Sequence, residues 1–211
     1  MTYLTTIPLN LYRNETRKMI ASRQTAHAAV LQSFSPTQSL VLGDSRVLWS
    51  LRQQGRSVNL VILSPERASP DHIVESCGWA NTEDGGYQQV PYTPLVESIS
   101  NGDIFRFTMT INPSVSKTGS KKRLAVPKDE AERWVSKVLL DRGAFISESS
   151  VTEYSVESFK HGDSKITLAI ASITGTLSVE NNMDFQKAML GGIGRAKGYG
   201  CGLLMLDERI G

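Results

Sequence analysis

Arg46-Val47-Leu48-Trp49-Ser50-Leu51-Arg52-Gln53-Gln54-Gly55-Arg56-Ser57-Val58-Asn59-Leu60-Val61-Ile62-Leu63 reads as two strands and the turn between them. Residues 46–51 and 58–63 are strand-like runs, and Gln53-Gln54-Gly55-Arg56 splits them with hairpin chemistry. Before this hairpin, residues 3–9 alternate and are β-branched, which predicts another strand. Asn14 can cap a single helix running to about Phe34, where Met19, Ile20, Ala26, Val30, Leu31 and Phe34 recur at helical spacing. Ser35-Pro36 ends it. After the hairpin, residues 70–77 offer a short helix and residues 86–92 an edge strand. The order strand, helix, strand, strand, helix, strand predicts a ferredoxin-like domain over residues 1–95.

The same order returns in the second half. Residues 104–111 read as a strand, and residues 129–140 as an amphipathic helix opened by Pro127 and ended by Gly143. Residues 145–159 and 166–177 read as two long strands, joined by the turn sequence Lys160-His161-Gly162-Asp163. A short helix over 183–190 and a strand over 203–206 complete the set. The expectation is an α+β fold of two tandem ferredoxin-like βαββαβ domains, 1–95 and 99–211. The duplication rests on element order, since the halves share no sequence repeat. Two prolines in 91–101 suit a boundary.

Composition narrows the function classes. The 211 residues are 40% hydrophobic, so a packed core is within reach and global disorder is excluded. With 7% aromatic residues, nucleic-acid contact would lean on charge and shape rather than on stacking. A net charge of +2 excludes a strongly basic coat but leaves room for a local basic face. Cys77 and Cys201 form no CxxC pair and no ligand cluster with His27, His72 and His161, so neither zinc nor a disulfide framework is indicated. No cofactor is expected. The N-terminal MTYLTTIPLNLYRNETRK has no long apolar run, and no membrane span follows, so a cytoplasmic protein without a membrane partner is expected.

The most unusual stretch is Gly191-Gly192-Ile193-Gly194-Arg195-Ala196-Lys197-Gly198-Tyr199-Gly200-Cys201-Gly202. Glycine permits positive φ and close approach of another chain, and Arg195 and Lys197 place two cations inside the loop. That pairing suits a polyanion held near the backbone. A P-loop is excluded because Lys197 is followed by Gly198 and the run precedes a strand; a dinucleotide fingerprint fails for the same reason of order. A plain helix-to-strand connector remains the structural alternative.

The run GIGRAKGYGCGLLML resembles the glycine-rich signature of the CasE family, the repeat-processing endoribonucleases of type I-E CRISPR systems. Further landmarks follow in family order: His27 midway along the first helix, Asn112-Pro113 after a strand, the basic stretch 117–123, and the helix containing Glu130-Ala131-Glu132-Arg133-Trp134. The resemblance implies two ferredoxin-like domains and metal-independent cleavage of CRISPR precursor RNA at the base of the repeat hairpin. It implies a 2′,3′-cyclic phosphate on the product, which the enzyme retains, and assembly with the other Cascade subunits. It also implies His27 as the catalytic residue. The chain departs from the pattern in two places: Gln24 stands where some members carry tyrosine, and Thr108 and Thr110 occupy the strand where some carry arginines.

The chemistry suits a lone histidine. RNA carries its own nucleophile, the 2′-hydroxyl, and needs an acid, a base or both, with positive charge on the phosphate. An unperturbed imidazole titrates near about 6.5. Arg23 and Gln24 lie one turn before His27 and can reach the same phosphate. Without the resemblance, His27 also reads as a histidine at the edge of a core stripe. His72 reads as a helix-start residue, and His161 as an exposed turn residue or RNA contact. Lys117, Lys121, Lys122 and Arg123 form a basic loop that is either an RNA contact or a solvated surface. Lys160 and Lys165 flank the tip of the long hairpin, which in the family helps grip the RNA stem. With Arg195 and Lys197 they complete the expected RNA-binding set. The alternative function is a non-catalytic RNA-hairpin-binding subunit of a ribonucleoprotein complex. An RRM-type binder is disfavoured by the lack of an RNP-like aromatic cluster.

Overall fold

A four-stranded antiparallel sheet is assembled from both ends of the first unit. A computed structural model describes residues 1–80, 85–116, 123–161 and 164–210. Strand β1 (Tyr3–Leu9) leads to helices α1 (Asn14–Ala21) and α2 (Arg23–Gln32), a small hairpin of β2 (Val41–Leu42) and β3 (Ser45–Arg46), and then the long hairpin of β4 (Leu48–Gln54) and β5 (Ser57–Ser64). Helix α3 (Asp71–Cys77), edge strand β6 (Gln88–Pro91) and a short α4 (Thr93–Glu97) follow. The sheet order is β4-β5-β1-β6, so the central β1 pairs with β5 and β6. This is the βαββαβ arrangement, with β2, β3 and α4 added to what periodicity predicts.

The helix expected over 14–34 is broken. Ser22 adopts extended backbone (φ −134°, ψ 106°), and its side chain accepts a hydrogen bond from the Thr25 amide at 3.2 Å. Serine offers the backbone this local alternative to helical bonding, so the run splits into two helices. Met19 on α1 and Ala26 and Val30 on α2 are still buried, against Ile7, Trp49, Leu60 and Ile62 of the sheet. Asn14 does not cap α1; its carboxamide accepts from Arg17.

The second unit repeats the plan with strands β7 (Ile104–Ile111), β8 (Ser114–Ser116), β9 (Arg123–Ala125), helix α5 (Ala131–Leu140), strands β10 (Ala144–His161) and β11 (Ser164–Val179), helix α6 (Asn182–Gly191) and strand β12 (Leu204–Arg209). A 3₁₀ turn, Lys128–Glu130, precedes α5, and another, Lys197–Tyr199, precedes β12. The main sheet runs β10-β11-β7-β12. Along β7, exposed or half-buried residues alternate with the buried Phe105, Phe107, Met109 and Ile111, and α5 and α6 bury Val135, Leu139, Phe185 and Met189. The long hairpin is irregular at Ile146/Glu148 and Val151/Glu153, where bulges shift its register. The last strand extends beyond the expected 203–206. Asn112, after β7, is buried and donates to the Ala169 carbonyl at 2.7 Å, tying the end of β7 to β11.

The chain packs as two compact units: residues 1–98 with 197–200, and residues 99–196 with 201–211. The glycine-rich run is thereby divided between them.

Ser22→Ala should lower stability by about 1 kcal/mol through loss of the α2 cap; chemical denaturation measures it, and unchanged stability would contradict the cap. A second test concerns acid. The Ser100 amide donating to Asp103, with Arg209 beside it, holds the Asp103 carboxyl below the usual carboxylate range, against an opposing push from partial burial. A depressed folded-state pKa adds stability above the unfolded value of about 3.9 and loses it as pH falls through the folded value. Melting curves of Asp103→Asn should therefore lie below the parent at neutral pH and converge on it in acid.

Candidate active site

His27 sits in the middle of α2, half-buried, next in sequence to Ala26, which is fully buried. It therefore lies at the edge of the face that α2 packs on the sheet. The turn at residues 197–200, from the far end of the chain, packs beside it. Arg23 Nη1 donates to the Tyr199 carbonyl at 3.0 Å across 176 positions of sequence. The Tyr199 ring lies 6.3 Å from the imidazole, centroid to centroid, tilted by 49°. A Cβ placed on Gly198 would stand 3.4 Å from His27 Cε1 and Nε2 and 3.9 Å from Cδ2, so that backbone packs over the Cε1–Nε2 side of the imidazole.

Gly200 fixes where this turn can lie. Its φ is +75°, and a Cβ there would come within 2.7 Å of Trp49 Cζ3 and 2.9 Å of Cη2. Trp49 is 1% exposed and belongs to the core, so the indole cannot yield. The backbone rests on the flat of that ring because glycine has no side chain to hold it off. At its base, the loop is closed by Ile193 N–H to the Gly202 carbonyl (2.8 Å) and Gly202 N–H to the Thr110 carbonyl (2.7 Å). Between these anchors Ala196 adopts φ +58°, the one positive-φ residue other than glycine among the described residues.

The structure brings Arg23, Gln24, His27 and Lys197 into one unit. Gln24 is exposed, and Arg23 and Lys197 are half-buried. Arg195 is exposed and belongs to the other unit. Arg123 folds back on its own hairpin, donating to the Ser114 carbonyl (2.8 Å), Ser114 Oγ (3.2 Å) and Ser116 Oγ (2.8 Å). Lys117, Lys121 and Lys122 lie outside the described residues, as do the side chains of Lys160, His161 and Lys165. His72 is structural, its Nε2 being 2.9 Å from the Ala29 carbonyl on α2. Thr108 pairs with Asp207, and the Thr110 carbonyl holds the loop base. Cys77 and Cys201 are buried and are not joined in a disulfide.

Tyr199 is the residue that sequence reasoning passed over. Its signal in the sequence is an aromatic ring between two glycines, Gly198 and Gly200, in a basic loop. Among the described residues no three histidine, cysteine, aspartate or glutamate side chains are grouped to hold a metal ion, and no helix is long and apolar enough to cross a membrane.

Gly200→Ala should destabilise the first unit by roughly 1–3 kcal/mol, from overpacking on Trp49 and a strained backbone. Denaturation monitored by tryptophan fluorescence reads this, and parental stability would show that the turn does not rest on the indole.

No curated protein matches the chain. Among solved structures, Thermus thermophilus Cse3 bound to an RNA representing a pre-cleavage complex has a TM-score of 0.76 at 20% identity, covering 98% of this chain and 99% of that one. CRISPR-associated Cas6e from Escherichia coli K-12 has a TM-score of 0.63 at 16% identity, covering 98% of each. A chain of a CRISPR RNA-guided surveillance complex has a TM-score of 0.63 at 18% identity, covering 97% of this chain and 98% of that one. At these identities the likeness establishes the fold, two ferredoxin-like βαββαβ units. A family model described as CRISPR associated protein matches residues 2–208, nearly the whole length, in agreement with the resemblance carried by His27, Asn112-Pro113 and the glycine-rich run. The chain belongs to the CRISPR associated protein family.

Proposed function

We propose that this chain is an endoribonuclease that cuts CRISPR precursor RNA at the base of its repeat hairpin. It does so with His27 as the proton-transfer residue, and it keeps the product as a subunit of a surveillance complex. One observation carries the reading: His27, Arg23 and the glycine-lined turn with Lys197 meet at one place, though drawn from opposite ends of the chain. Support comes from the family and from fold relatives seen with RNA and within an RNA-guided complex.

The reaction needs no outside nucleophile. The 2′-oxygen bonds to phosphorus and the P–O5′ bond breaks. The 2′-proton leaves and the 5′-oxygen gains one. His27 carries one or both transfers, and such a group typically contributes ~10²–10⁴-fold. Alignment of the 2′-oxygen with the leaving oxygen supplies much of the remainder. Gln24, on the same helix as His27, and Lys197, on the turn beside it, are assigned to the scissile phosphate. Arg195, Lys117, Lys121, Lys122, Lys160 and Lys165 are assigned to the RNA stem, whose A-form geometry exposes phosphates and shape more than base edges; Arg123 is left out of this set because its guanidinium is held by Ser114 and Ser116.

His27→Ala should abolish cleavage of a repeat hairpin while leaving its affinity nearly unchanged, since one side chain is a small part of a broad phosphate interface. Cleavage by the parent should persist in EDTA and stop when the cut-site ribose is 2′-deoxy. Full activity of His27→Ala would remove the assignment, and strict dependence on magnesium or manganese would remove the mechanism. Retention of RNA by the parent without cleavage would instead mark a binding subunit.

A further inference from the structure

Arg23 and Gln24 both precede His27 by one turn, yet their surroundings differ. Gln24 is exposed, whereas Arg23 is half-buried with Nη1 directed to the Tyr199 carbonyl. The turn that Arg23 grips is the same one that touches the imidazole. Gly198 packs over the Cε1–Nε2 side of the imidazole, and the Tyr199 ring stands at a distance and tilt usual for a packed aromatic pair. Contacts therefore close into a ring: α2 to Arg23, Arg23 to the Tyr199 carbonyl, the turn to the imidazole, and the imidazole back to α2. Gly200 seated on Trp49 prevents the turn from drifting.

We infer that Arg23 and Tyr199 are a positioning pair for His27: Arg23 pins the 197–200 turn to the helix, and the Tyr199 ring, rather than its hydroxyl, fixes the imidazole. This rests on His27 as the proton-transfer residue and reassigns Arg23 from phosphate contact to orientation. An arginine placed on phosphate adds to affinity and to its salt dependence. An arginine that orients a histidine adds to the rate of the chemical step, where a misplacement of about 1 Å can cost about 10²-fold. Residues acting as one unit are also non-additive.

The test measures single-turnover cleavage at saturating protein, and hairpin affinity at several salt concentrations, for Arg23→Ala, Arg23→Lys, Tyr199→Leu, Tyr199→Phe and the Arg23→Ala/Tyr199→Leu double variant. Arg23→Ala and Tyr199→Leu should each slow cleavage by about 10²-fold with affinity and salt slope kept, and the double variant should be no slower than the worse single. Arg23→Lys should recover part of the rate and Tyr199→Phe nearly all of it. These two conservative variants decide the matter if either truncation unfolds the protein, which melting curves reveal. A drop of about one unit in the salt slope of Arg23→Ala, with the saturated rate intact, would return Arg23 to the phosphate. Equal loss in Tyr199→Phe and Tyr199→Leu would assign the work to the hydroxyl and overturn the proposal. His27→Ala in the same assay separates the two ideas: parental cleavage there defeats the role of His27 itself.

Discussion

The seat of Gly200 on the indole of Trp49 is the constraint from which the candidate site follows. Trp49 is fixed by the core of the first sheet, so the backbone above it has one height at which to pass. That height brings Tyr199 within reach of Arg23 and lays Gly198 along His27. A side chain at residue 200 would lift the turn, and the contacts with α2 would go with it. The histidine alone is a residue at the rim of a core helix. What makes it a site is a four-residue segment that reaches it from the other end of the chain.

The βαββαβ order was legible because it rests on short-range signals. The alternation in β1 and β7, the turn between β4 and β5, and the buried Val135 and Leu139 four residues apart on α5 are all local periodicities. The break at Ser22 was not legible. Met19, Ala26 and Val30 keep an apolar rhythm across it, and a serine inside such a rhythm gives no local sign of whether it caps or continues. The small hairpin at Val41–Leu42 and Ser45–Arg46 is too short to leave a period.

The site was half legible for the same reason. His27 and Lys197 stood out by residue type and by resemblance, but their juxtaposition depends on a contact spanning 176 positions, which no local pattern encodes. Arg23 was legible as a cation near His27. Its partner, a backbone carbonyl, has no sequence signature. Arg123 shows the opposite case, a cation that stood out in a basic run and is used to staple Ser114 and Ser116. Basic residues in a loop thus divide between holding the protein and holding its ligand, and the hydrogen bonds tell them apart.

The central claim is that the RNA supplies its own nucleophile and that the protein contributes alignment and proton transfer. The ends of the cleaved hairpin record this directly. Mass spectrometry of the fragments should find a 2′,3′-cyclic phosphate on the upstream piece and a 5′-hydroxyl on the downstream piece. A 3′-hydroxyl with a 5′-phosphate would mean that water attacked from outside, and would contradict the account.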